Sequence, residues 1–158
     1  MGSKYALMFL LGFLSCAFLF YGFSYSNVEI PFGTGFASSG VNAPNDWVDS
    51  EDIIVFDDMI LLRVENATLS SYAGSGSMKP VFDEGANGIR VVPRSEDEIE
   101  VGDIVSYRFG DMLIVHRVVE KGIDNEGVYF VMKGDNNLIA DEKVRFGQIE
   151  YVTIGVIW

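Results

Sequence analysis

Residues 5–25, YALMFLLGFLSCAFLFYGFSY, contain no charged side chain. A helix that is apolar on every side has to be surrounded by protein or by lipid. At about 1.5 Å per residue, this run is long enough to cross a ~30 Å hydrocarbon core. Lys4 precedes it and the acidic mass of the chain follows it. The positive-inside tendency then keeps the amino terminus cytoplasmic and puts everything from Ser26 onward outside. Tyr21 and Tyr25 suit the far interface. A cleavable signal peptide is the competing reading, but the run is long for that role, and the following SNVEIPF offers no clear small-x-small cleavage site. The expectation is one N-terminal transmembrane helix, residues 1–25, retained as an anchor. The only cysteine, Cys16, lies inside the run, which excludes an intrachain disulfide and a cysteine zinc set.

The remainder has the length of one domain. With 11 basic against 23 acidic residues, the net charge is -12, the opposite of the basic stripe that nucleic acid requires. Residues 26–51 are rich in Gly, Ser, Asn and Pro, with Phe32, Phe36 and Trp47 between them, and read as a linker. From 52 to 158 the chain reads as β-structure. DIIVFDDMILLRVE (52–65) predicts two short strands joined near Asp57 and Asp58. NGIRVVPR (87–94), DIVSYR (103–108), LIVHRVVEK (113–121), VYFVMK (128–133) and the β-branched end VRFGQIEYVTIGVIW (144–158) predict the rest. Turns are expected at Phe109–Asp111 and Gly122–Gly127, and SEDEIE (95–100) reads as a solvated acidic connection. The class is all-β. Asn66-Ala67-Thr68 has the form of an N-glycosylation acceptor, which agrees with an outside location.

Three stretches carry candidate chemistry. SYAGSGSMKP (71–80) sets Ser75 and Ser77 among Gly74 and Gly76, whose backbone freedom allows a tight exposed loop. Pro80 restricts Lys79 and keeps the loop from winding up. A serine nucleophile needs a base within hydrogen-bond reach and a carboxylate to fix that base. The chain has a single histidine, so any such base is His116. On its strand it shares a face with Ile114 and Val118. KGDNNLIADEKV (133–144) then supplies two carboxylates, Asp135 and Asp141, on one irregular loop. Each stretch also has a plain structural reading: a polar turn, a packed strand histidine, a polar hairpin.

Taken together, SGSMKP, IVHRV on the strand after GDIVSY, and KGDNN with an aspartate six residues on resemble the type I signal peptidases. The match is to the endoplasmic-reticulum and archaeal branch, which uses histidine where the bacterial branch uses lysine. The motifs fall in family order between Tyr72 and about Phe146, roughly half of the chain. The resemblance implies that Ser77 is the nucleophile and His116 the general base. It places Asp135 and Asp141 at the two acidic positions, with Asp141 the favoured triad member and Asp135 bracing the loop. Ser75 matches the hydroxyl that helps the Ser77 amide hold the oxyanion, while Met78 and Pro80 match positions shaping loop and pocket. It further implies a small signal-peptidase-like β-sheet catalytic domain over 52–158, needing no metal or cofactor. The expected activity is a membrane-anchored serine endopeptidase that removes signal peptides from secreted preproteins after small residues. The partners are those preproteins, membrane lipid and, in a larger assembly, other subunits. The expected topology is single-pass, with the catalytic domain at the cell exterior or in the ER lumen.

Two features depart from the family pattern. The stretch between Tyr25 and Ser77 is longer than is typical and includes the expected 52–65 hairpin, and IGVIW ends the sequence without a second apolar span. They motivate the alternative of a non-catalytic relative that binds peptides or serves as a subunit of a membrane complex. Lys79 follows Ser77 too closely to act as a bacterial-type base and reads as a surface residue.

Overall fold

The computed structural model describes residues 43–158, together with Lys4, Tyr5 and Phe13, which are helical and exposed. The expected anchor and the first part of the linker lie outside the described residues. Among the described residues, no helix is long and apolar enough to cross a membrane. The chain divides into two compact units, Met1–Ser39 and Gly40–Trp158.

The second unit is all-β. Among its described residues nine strands follow in order: β1 Ile53–Val55, β2 Ile60–Leu62, β3 Thr68–Ser71, β4 Asn87–Val91, β5 Ile104–Phe109, β6 Met112–Asp124, β7 Gly127–Lys133, β8 Lys143–Val144 and β9 Ile149–Ile157. β1 and β2 form a separate two-stranded hairpin, as their sequence predicts, and the other seven make one sheet in the order β3-β4-β9-β5-β6-β7-β8. Every pairing is antiparallel. The last of these strands therefore inserts between β4 and β5, so the carboxyl-terminal β-branched run lies inside the sheet and not at its edge.

Alternation along the strands places apolar side chains on both faces. Val105, Tyr107, Val118, Phe130, Met132, Val144 and Val152 form the main core. A second cluster of Met78, Phe82, Ala86 and Ile104, with Tyr72, Val115 and Val156 against it, covers the other side. Tyr72 stacks on Phe82 with ring centroids 4.1 Å apart and bonds Thr153 Oγ1 through its hydroxyl at 3.0 Å. Part of the expected linker is fastened to this unit: the Asn45 amide and Trp47 Nε1 both donate to Asp103 Oδ1, at 2.9 and 3.1 Å.

The strand limits differ from the sequence expectation in several places, among them β4, which ends at Val91 and not at Arg94. Thr68–Ser71, where no strand was expected, forms edge strand β3 on β4. β6 continues through Gly122 to Asp124, so the turn to β7 narrows to Asn125–Glu126. Gly122 is no breaker there: the Tyr129 ring of β7 lies where its Cβ would be, with Cζ 2.6 Å from that position. The end of the chain is extended only from Ile149, because Phe146–Gln148 forms a 3-10 turn that Gln148 closes by accepting the Arg145 amide at 2.9 Å.

Candidate active site

β7 pairs with β6 only as far as Arg117, opposite Lys133. Residues 112–116 of β6 thus extend beyond their neighbour, and the loop 134–142 passes where β7 has ended. Three stretches far apart in sequence meet at this open end of the sheet.

His116 sits on β6 opposite Val105 of β5 and is 7% exposed. Its Nδ1 bonds Asp141 Oδ2 at 2.6 Å. Asp141 is fixed in turn by its own amide, which donates to the Met132 carbonyl at 2.8 Å and continues the line of β8 pairing. With Nδ1 engaged by a carboxylate, the imidazole is left with Nε2 for other work.

Asp135 has a different partner. Arg117, the residue after His116, clasps it through Nε to Oδ1 at 2.8 Å and Nη2 to Oδ2 at 2.7 Å, and spends Nη1 on the Gly102 carbonyl at 2.8 Å. The carboxylate, chiefly through these hydrogen bonds, raises the Arg117 pKa above its ordinary value. Asn136 then reaches the serine loop, its amide donating to the Ser77 carbonyl at 2.8 Å and its Nδ2 to the Gly76 carbonyl at 3.1 Å. Gly134 is in closer contact still, since a Cβ there would meet the Ser77 carbonyl oxygen at 2.7 Å.

The serine loop is held from within as well. Gly76 has φ +71°, which its lack of a Cβ makes cheap, whereas Gly74 does not use that freedom. The Gly76 amide donates to Asp83 Oδ1 at 3.0 Å, and Lys79 Nζ pairs with Asp83 Oδ2 at 2.8 Å. Lys79 and the Gly76 amide hold the Asp83 carboxyl below its ordinary pKa. Lys79 is exposed, in agreement with its reading as a surface residue. Around Pro80 the chain makes a turn and no helix, with the amides of Val81 and Phe82 both bonding the Met78 carbonyl. Met78 is buried, and Val115, whose side chain alternates away from that of His116, packs against its cluster.

Ser77 Oγ bonds Ser75 Oγ at 3.1 Å, and the Ser77 amide donates to Ser75 Oγ at 3.3 Å. Among the described residues no hydrogen bond joins Ser77 to His116. The structure thus pairs His116 with Asp141, pairs Ser75 with Ser77, and ties the two groups through the Asp135 loop. Sequence reasoning did not single out Arg117, Asn136, Asp83 or Tyr107. Arg117, Asn136 and Tyr107 lie inside the quoted motifs, so their position was a usable signal; Asp83 carried none. Among the described residues no cluster of His, Cys, Asp and Glu is placed to hold a metal ion.

The β-sheet domain thus carries a glycine-flanked serine loop tied through Asn136 to the same loop that supplies Asp141 to His116. Over 80 residues the chain is 41% identical to the signal peptidase complex catalytic subunit SEC11 of Candida tropicalis, covering 49% of this chain and 47% of that protein. It is 42% identical over 72 residues to the signal peptidase complex catalytic subunit SEC11C of Homo sapiens, covering 42% and 36%. The SEC11 subunit of Candida albicans is 38% identical over 80 residues, covering 49% and 47%. The chain thus spans less than half the length of these relatives. No family model and no solved structure matches it. Over the matched half, the chain is similar to these signal peptidase complex catalytic subunits.

Proposed function

We propose that the chain is a membrane-anchored serine endopeptidase that removes signal peptides from secreted preproteins. The observation that carries this reading is the 2.6 Å bond between His116 Nδ1 and Asp141 Oδ2, beside a serine loop that Asn136 and Gly134 hold in place. The names of the relatives, catalytic subunits of signal peptidase complexes, support it. Ser77 Oγ attacks the scissile carbonyl while His116 Nε2 takes its proton. Asp141 keeps the imidazole in the tautomer with Nδ1–H and balances the imidazolium that forms. The Ser77 amide, released from Ser75 Oγ, and the Ser75 hydroxyl donate to the oxyanion, an arrangement often worth a few kcal/mol of barrier. His116 returns its proton to the leaving amine, and water then hydrolyses the acyl-enzyme by the same base. Met78 and Pro80 shape the loop. Asp135 acts through Arg117 as the brace, and Asp141 as the triad acid.

Residues 1–25 form the anchor, 26–51 the linker and 52–158 the catalytic domain. The topology is single-pass, with the catalytic domain on the extracytoplasmic side. Confinement of enzyme and tethered preprotein to one surface raises their effective concentration. Other subunits of a membrane complex are the expected protein partners, as the relatives' names support.

The test is cleavage of a labelled preprotein by the full chain in detergent or bilayers, beside Ser77→Ala and His116→Ala. Both variants fold and neither cleaves. Cleavage at the wild-type rate by either one removes the assignment. The non-catalytic alternative has one observation on its side, the missing bond between Ser77 and His116, and the same experiment excludes it when the wild-type chain cleaves.

A further inference from the structure

Asp141 is held from two directions, and the imidazole is only one of them. Tyr107 on β5 donates its hydroxyl to Asp141 Oδ2 at 2.8 Å, the same oxygen that bonds His116 Nδ1 at 2.6 Å. Tyr107 is 1% exposed, and its ring centroid lies 6.5 Å from that of the imidazole. It pairs with Ile114, two residues before His116 on the neighbouring strand. On its other side, the register of β5 against β9 shifts between Ser106 and Tyr107. Irregularities of this kind re-aim a side chain locally, and here they occur at the one residue whose hydroxyl reaches the loop.

We propose that Tyr107 is a positioning residue of the histidine–aspartate pair. Its hydroxyl, the second donor on Asp141 Oδ2, fixes the rotation of that carboxylate so that it grips Nδ1 and leaves Nε2 free. The proposal rests on the serine peptidase reading and deepens it. A carboxylate on a loop, anchored otherwise only by its backbone, is free to turn and exchange its bond for water. Two donors converging on one oxygen define a single orientation, and bonds to an ionised acceptor are stronger than neutral ones. Burial first, and then the neighbouring carboxylate, keep the phenol protonated far above neutral pH. It therefore always donates and never competes for the proton on Nδ1. A tyrosine that merely filled the core would need its ring and not its hydroxyl.

The chain has one histidine, so the imidazole Nδ1–H signal in a nuclear magnetic resonance spectrum of the full chain, labelled at histidine, belongs to His116. In Tyr107→Phe that proton is expected to exchange with water about tenfold faster. Turnover of a labelled preprotein falls about tenfold with KM within about twofold, the signature of lost positioning rather than lost binding. A Tyr107→Phe chain whose imidazole signal and kcat both match wild type overturns the proposal, wherever its melting temperature falls. Should the Phe variant not fold, a fluorinated tyrosine at position 107 keeps the ring and donates more strongly. It must move the Nδ1–H signal, and an unmoved signal is equally fatal. If Ser77→Ala still cleaves, the peptidase reading falls while the imidazole measurement continues to report on Tyr107.

Discussion

Arg117 and Asp135 meet through two parallel hydrogen bonds of 2.8 and 2.7 Å, with both side chains 17% exposed. This pair separates two aspartates that look alike in the sequence. One carboxylate serves a guanidinium and braces a loop, and the other serves the imidazole. Removing one member of a shielded ion pair leaves the other uncompensated. Asp135→Ala is therefore expected to cost about 3 kcal/mol of stability. Asp141→Asn should change stability by only about 1 kcal/mol yet lower turnover by about three orders of magnitude. Denaturant unfolding and preprotein cleavage, measured on both variants, check the division. Equal stability losses would refute it.

Gly134 lies against the carbonyl of the proposed nucleophile, with 2.7 Å between the position of a Cβ and that oxygen. The obstacle is backbone on one side and the Asn137 side chain on the other, so a methyl group cannot be absorbed by a rotamer change. Gly134→Ala should destabilise the domain by about 1–3 kcal/mol, the usual cost of overpacking. It should also displace the serine loop, with kcat falling more than KM rises. A Gly134→Ala chain with wild-type turnover would show that the two loops need not touch.

Asp124 closes the β6–β7 hairpin, and three donors converge on its carboxylate. Lys143 Nζ, the Glu126 amide and Arg145 Nη2 all bond its carboxylate, at 2.9, 3.0 and 2.8 Å. Lys143 first, then the Glu126 amide and Arg145, hold its pKa well below the ordinary value of 3.8. A carboxyl depressed in the folded state adds stability that is present above its unfolded value and lost as pH falls through the folded one. The wild-type chain should lose thermal stability between about pH 4 and pH 2 more steeply than Asp124→Asn. At neutral pH the variant should be the less stable of the two. Parallel melting curves across that range would mean the cluster contributes nothing to acid sensitivity.

Much of this domain was legible from residue order alone. The β1–β2 hairpin, the strands around Val105, His116 and Phe130, and the all-β class follow from alternation and turn residues, which are local properties. His116 was the one candidate for a histidine base because no second histidine exists. The sequence expectation failed where tertiary contact overrides local preference. Gly122, expected in a turn, continues a strand against Tyr129, and Thr68–Ser71, given no strand, extends along the edge of β4.

The sequence by itself determined which side chains are available for chemistry and on which face of its strand His116 stands, since a β-strand repeats every two residues. Only the tertiary structure decided that Asp141 meets the imidazole, that Asp135 meets Arg117 and that Tyr107 shares the carboxylate. Those partners lie 25, 18 and 34 positions apart. What brings them together is the end of β7 at Lys133, which leaves the tip of β6 to be lined by a loop. Where one strand stops against another depends on the register of the whole sheet, and no local pattern of residues encodes that.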